Sequence, residues 1–85
     1  MAKIIIYTAD NCPYCVWAKQ LLDSKHATYD ELRIDLLPDK RAEMEYLSGR
    51  RTVPQIFIHS QAIGGYDDLM ALDQSGQLDL LLKNK

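Results

Sequence analysis

The apolar run Ile4-Ile5-Ile6-Tyr7 leads within a few residues into Cys12-Pro13-Tyr14-Cys15, and this junction constrains the fold more than any other stretch. An apolar run without clean alternation, over residues 3–8, suits a strand covered on both faces. Proline is tolerated in the first turn of a helix, where its missing N–H has no intrahelical acceptor to lose. The local order is therefore strand, short loop Ala9-Asp10-Asn11, then a helix with Cys12 at its start and Cys15 one turn in. These are the only two cysteines in the chain. Thiols so spaced can close a ring with little backbone movement, and a helix N-terminus favours the thiolate that cysteine chemistry needs. The pattern predicts a redox centre, with Cys12 the attacking sulfur and the more buried Cys15 the resolving one. Lowering the Cys12 pKa by ~2 units from ~8.5 would make its anion dominant near neutral pH.

Two blander uses of the pair fit less well. A structural disulfide closed over two intervening residues would restrain the unfolded chain little. A zinc site would need His26 and His59, which lie far apart in no usual ligand spacing. The chain has 85 residues, enough for one domain spanning 1–85 and no second core. Its net charge of −2 offers no general attraction for nucleic acid or anionic membrane. No stretch approaches the ~20 apolar residues of a membrane span. The N-terminus lacks the long apolar region and cleavage site of a signal peptide. A chain that begins on a core strand and carries a C-x-x-C pair is expected to work in the reducing cytoplasm.

Beyond the cysteines, a first helix is expected over residues 13–25, with Cys15, Ala18 and Leu22 on one stripe and Leu21 beside it. Residues 29–35 alternate as a second strand, with Leu32 and Ile34 inward. Pro38 opens a polar helix that ends at Ser48, where Gly49 suits a left-handed cap and Met44 and Leu47 are the apolar positions. Residues 55–59 and 61–63 flank a tight connection at Ser60 and predict an antiparallel hairpin. A further helix is expected over 66–75, stopped by Gly76, and residues 78–82 form a last turn or short helix. The first two strands must pair in parallel through a right-handed crossover. The order β-α-β-α-β-β-α then gives an α/β, thioredoxin-type fold: a four-stranded mixed sheet flanked by helices.

Three further clusters bear on chemistry. In Thr52-Val53-Pro54 the proline stands at the first residue of a strand, where no ladder bond is lost. A cis Val53–Pro54 bond would turn the Val53 N–H and C=O outward, free to pair with an extended peptide. Only about 5–6% of X–Pro bonds in folded proteins are cis, so the residues alone favour trans. In Gly64-Gly65-Tyr66-Asp67-Asp68, the glycines permit close approach to a ligand and the helix start offers N–H groups to a carboxylate. The two aspartates either accept from an ammonium or simply cap the helix. Arg50 and Arg51 are either solvated surface or partners for an anion. Together these groups suit a small zwitterionic peptide, and glutathione has the required carboxylates, amine and central thiol.

The blocks Cys12-Pro13-Tyr14-Cys15, Thr52-Val53-Pro54-Gln55-Ile56-Phe57-Ile58 and Ile63-Gly64-Gly65-Tyr66-Asp67-Asp68-Leu69, in this order and spacing, resemble the dithiol glutaredoxins, particularly the small bacterial type. The Trp-Cys-Gly-Pro-Cys of thioredoxins and the Cys-Gly-Phe-Ser of monothiol glutaredoxins are absent. The resemblance implies a cis Val53–Pro54 bond. It also implies a glutathione site across Tyr14, Thr52, Val53, Pro54, Gly65, Tyr66, Asp67 and Asp68, with the sulfur at Cys12 and Arg51 near the glycine carboxylate. Three positions depart from the common pattern. Ala9 and Asp10 stand where many relatives carry a lysine shortly before the first cysteine. Tyr66 replaces a small residue or a third cysteine. Trp17 is unusual, and would either dock protein partners or pack as an ordinary helix residue.

The expected function is a glutathione-dependent thiol-disulfide oxidoreductase that reduces protein disulfides and glutathione mixed disulfides through Cys12 and Cys15. Glutathione would be a co-substrate, with no metal and no permanently bound cofactor. Expected partners are disulfide-containing or glutathionylated proteins, ribonucleotide reductase among them, met by a monomer with no nucleic-acid or membrane role. The alternatives are a redoxin reduced by thioredoxin reductase and a glutathione-bridged iron–sulfur scaffold.

Overall fold

The computed structural model describes residues 3–83. Met1 and Ala2, which entered the reading of the N-terminus, and Asn84 and Lys85 lie outside the described residues. Strand β1 (Ile4–Thr8) is the hub of the sheet, whose order is β2-β1-β3-β4. Its partners are β2 (Asp30–Arg33), which is parallel, and β3 (Gln55–Ile58), which is antiparallel. The edge strand β4 (Gln61–Gly64) runs antiparallel to β3. The mixed four-stranded sheet is thus as the element order implied.

Apolar side chains leave both faces of β1, which is why its run shows no alternation. Ile4 and Ile6 join Ile56 and Ile58 in a core with Ala18 and Leu22 of helix α1 (Pro13–Ser24) and Leu69 of helix α3 (Tyr66–Gln74). Tyr7 and Phe57 point to the other face, where they pack with Ile34 and with Met44 of helix α2 (Pro38–Ser48). Tyr7 is fully buried, and its hydroxyl donates to Glu43 Oε2 at 2.6 Å. Burial, with that carboxylate, pushes the Tyr7 phenol well above its usual range, while the bond holds Glu43 below its own.

The structure adjusts several element limits. Strand β2 is shorter than the 29–35 run, and Ile34 is buried just beyond its end, with its N–H donating to Thr8 O at 2.9 Å. The hairpin turns on His59 and Ser60 together, with φ of 53° and 66°, the two-residue geometry whose twist matches the flanking strands. Leu47, at the end of α2, is 52% exposed, so Met44 alone anchors that helix as a fully buried residue. Gly49 does cap α2 in the left-handed region, at φ 72°. The chain's last segment is a true helix, α4 (Gln77–Lys83), whose Leu78 is wholly buried. Lys25 ties it down, with Nζ 2.7 Å from Asp73 and 3.0 Å from Asp79.

Candidate active site

Two helix starts and one loop meet at the C-terminal end of β1. The first start is that of α1. Cys12 is its N-cap in an extended conformation, Pro13 follows at the first helical position, and Cys12 Sγ accepts the Cys15 N–H at 3.2 Å. A sulfur therefore occupies the place where a cap usually offers oxygen, at the positive end of the helix. The two cysteines are joined as a disulfide, with Cα atoms 5.2 Å apart, within the range that requires no backbone movement. Cys15 is buried on the stripe with Ala18 and Leu22, whereas Cys12 is partly open to solvent.

The loop before β3 supplies the second element. The Val53–Pro54 bond is cis, as the resemblance implied and against the general preference for trans. The Val53 carbonyl oxygen lies 3.8 Å from Cys12 Sγ. Gln55 holds this loop from beneath: its side chain is buried, and Nε2 donates to Thr52 O at 3.0 Å and to Thr52 Oγ1 at 3.3 Å. Sequence reading treated Gln55 only as a strand residue. The signal for it was a lone amide at the head of an apolar strand, a group that must find partners once buried.

The third element is the start of α3. Gly65 is its N-cap, and Asp68 Oδ2 accepts the Gly65 N–H at 2.9 Å and an Arg50 Nη1 bond at 3.0 Å. Those two donors, the backbone one foremost, hold the Asp68 carboxyl below the usual range. The Asp67 side chain makes no hydrogen bond or ion pair among the described residues and stands exposed at the helix start. The two aspartates thus divide the roles that the sequence left open, Asp68 capping and Asp67 facing solvent.

A groove of about 210 Å3 runs between these elements, lined by Tyr14, Arg50, Thr52, Val53, Pro54, Gly65, Tyr66, Asp67 and Asp68. Every non-cysteine residue singled out as a glutathione contact lines it except Arg51. Arg51 is 86% exposed along its side chain, lies 3.6 Å from Glu45 of α2, and is not in the groove wall. Arg50, named in the sequence only as half of a basic pair, stands in that wall.

A second cleft of about 500 Å3 opens on the other flank of the cysteines, with Asp10, Lys19, Glu31 and Arg33 in its lining. Its charges are paired. Glu31 accepts from Thr8 at 2.6 Å and from Lys19 at 3.0 Å, and these bonds, Thr8 first, keep it ionised at lower pH than usual. The Asp10 anion, which the sequence set close to Cys12, interacts with the Arg33 guanidinium, itself bonded to Asp35.

The comparisons with known proteins agree with this geometry. The glutaredoxin family model matches residues 4–63. Glutaredoxin 3 of Escherichia coli K12 is 59% identical over 83 residues, covering 98% of this chain and all of that one. A glutaredoxin of Pseudomonas aeruginosa is 48% identical over 82 residues, covering 96% of this chain and 98% of its own. Among solved structures, the glutaredoxin of Brucella melitensis is 53% identical with a TM-score of 0.85, covering 98% of this chain and 90% of that one. A buckwheat glutaredoxin–glutathione complex is 32% identical with a TM-score of 0.86, covering 93% and 74%.

Proposed function

The chain belongs to the glutaredoxin family and is a glutathione-dependent thiol-disulfide oxidoreductase, and on that premise we propose that its chemistry runs through Cys12 and Cys15. The observation that carries this reading is Cys12 Sγ at the head of α1, accepting a helix N–H and lying 3.8 Å from the carbonyl oxygen of Val53, a residue of the groove wall. In the reduced enzyme the Cys12 thiolate attacks one sulfur of a protein disulfide. A Cys12–protein disulfide forms, and the protein's other sulfur leaves as a thiolate and takes up a proton. The Cys15 thiolate then attacks Cys12 Sγ, releasing the protein's first sulfur and closing the Cys12–Cys15 disulfide, which is the state described above. A glutathione thiolate attacks Cys12 Sγ next and expels Cys15. A second glutathione takes the first as glutathione disulfide and restores the Cys12 thiolate. Two glutathiones are oxidised for each disulfide reduced. With a glutathionylated substrate, Cys12 attacks the glutathione sulfur and Cys15 is not needed.

Glutathione lies in the 210 Å3 groove in this reading. Its cysteinyl backbone pairs with Val53, and its γ-glutamyl end meets the turn from Gly65 to Asp68, with Asp67 facing the amine. Tyr14, Thr52, Pro54 and Tyr66 complete the walls. Arg50 stands in the wall bonded to Asp68 and serves a glutathione carboxylate there, whereas Arg51 lies outside the wall. The protein works as a monomer in the cytoplasm on disulfide-bonded or glutathionylated proteins, with ribonucleotide reductase one candidate.

Turnover of a glutathione mixed disulfide, coupled to glutathione reductase and NADPH, tests this assignment. Wild type and Cys15→Ser are expected to turn over, and Cys12→Ser to be inactive. Activity in Cys12→Ser, or reduction of the enzyme by thioredoxin reductase but not by glutathione, would overturn it.

A further inference from the structure

Three aromatic rings crowd the mouth of the groove. The Tyr14 and Trp17 rings meet edge to face, with centroids 5.1 Å apart and planes at 89°. Tyr66 closes the triangle, 6.1 Å from Tyr14 and 5.9 Å from Trp17. Tyr14 and Trp17 stand three residues apart and so share one face of α1, while Tyr66 is the first residue of α3. Tyr14 and Tyr66 line the groove, and Trp17 braces both from outside it. Mutual packing fixes the ring positions, yet Tyr14 remains 52% and Trp17 46% exposed. Apolar surface gathered in one patch marks a contact site more often than apolar surface scattered singly.

The occupant follows from what already reaches Cys12. The charged end of the groove, with Arg50, Asp67 and Asp68, matches the amine and carboxylates of glutathione, which has no apolar side chain to cover the outer ring faces. A protein disulfide must bring its sulfur to Cys12, two residues from Tyr14, so the patch continues the substrate surface. We infer that Trp17, held by Tyr14 and Tyr66, is a specificity-determining residue that receives an apolar or aromatic side chain next to the attacked cysteine of a polypeptide substrate. The inference rests on the groove reading given under Proposed function. In the step concerned, the bond between Cys12 Sγ and the peptide sulfur forms as the peptide disulfide breaks. The peptide's second cysteine leaves with the electron pair and is then protonated, and the neighbouring side chain lies on the Trp17 ring.

The test uses two peptides with an intramolecular disulfide that differ only in the residue after the attacked cysteine, phenylalanine or serine. Reduction is followed with glutathione, glutathione reductase and NADPH. Wild type is expected to favour the phenylalanine peptide by about tenfold in kcat/KM, Trp17→Ala by less than about twofold, and Trp17→Phe to restore most of the preference. No preference in wild type would overturn the inference. An equal loss on both peptides in Trp17→Ala would also overturn it, because the ring would then only brace the groove. Conversion of a dimer to a monomer by Trp17→Ala in sedimentation would give the patch to a second copy and likewise overturn it. Asp67→Asn in the same assay keeps the two readings apart. A glutathione KM unmoved by that change would sink the groove reading, while the phenylalanine-to-serine ratio reports on Trp17 alone.

Discussion

The groove lies between two helix starts that receive opposite residues. At the head of α1 no acidic side chain stands in the first turn, and the cap is the sulfur of Cys12. At the head of α3 the first turn carries Asp67 and Asp68, and the cap is a glycine served by the Asp68 carboxylate. Both starts offer unpaired N–H groups and the positive end of a helix dipole. In α3 a built-in anion meets that field, so the start is a settled structural joint that presents Asp67 to the groove. In α1 the field meets only sulfur, whose charge state is part of the reaction. The contrast teaches that a helix start becomes a reactive centre when the fold withholds the carboxylate that would otherwise satisfy it.

The largest break in this comparison is expected from Gly64→Ala. Gly64 has φ of 115°, and a Cβ there would lie 2.7 Å from Asp68 Cγ and 3.0 Å from Arg50 Nη1. The strained backbone and displaced carboxylate should cost about 2–3 kcal/mol. Thermal unfolding should show that loss and the glutathione KM should rise, while alkylation of Cys12 in the reduced protein keeps its rate. Loss of Cys12 reactivity as well would show that the two starts are not independent.

A smaller effect sharpens the difference between adjacent arginines. Arg50→Ala removes a groove wall and the Asp68 partner, and should raise the glutathione KM about fivefold (~1 kcal/mol). Arg51→Ala breaks only a surface pair with Glu45 and should change it by less than about twofold. Steady-state kinetics of the two variants against glutathione decide the matter, and a reversed order would return the carboxylate to Arg51.

The smallest change is expected from Asp68→Asn, measured by chemical unfolding across pH. The folded pKa of Asp68 is lowered by the Gly65 N–H and by Arg50, so its contribution is present above the unfolded value near ~3.9 and is lost as pH falls through the folded one. The variant should be less stable than wild type by roughly 0.5 kcal/mol at neutral pH, because the carboxylate is nearly half exposed. The gap should narrow as pH falls past the unfolded value and close as it drops through the lower folded one, where wild type loses the same charge. A gap independent of pH would mean that the carboxylate's charge contributes nothing.

Much of this was legible in the chain because local rules dictate it. The helix start at Pro13, the buried stripe through Ala18 and Leu22, the cap at Gly49 and the hairpin each follow from residue type and spacing. What escaped were facts set by tertiary contact. The cis state of Val53–Pro54 runs against the general preference and was expected only through family resemblance. The Gln55 amide matters because the loop folds back over it; a lone amide heading an apolar strand signals that partners are needed, but not that Thr52 supplies them. Which of two neighbouring arginines enters the groove depends on α2, whose Glu45 takes Arg51, and on α3, whose Asp68 takes Arg50. The Trp17 triangle joins side chains 49 positions apart, from residue 17 to residue 66, and only the α1–α3 contact brings them together.

The claim that the α1 start is reserved for a thiolate is tested most directly by the pH dependence of Cys12 alkylation with iodoacetamide. The reduced Cys15→Ser variant isolates one sulfur and keeps the backbone N–H that Cys12 accepts. A midpoint near ~6.5, about two units below the ordinary thiol value of ~8.5, is the expected result. A midpoint at or above ~8.5 would contradict the account, because the helix start would then give the sulfur no more than water does.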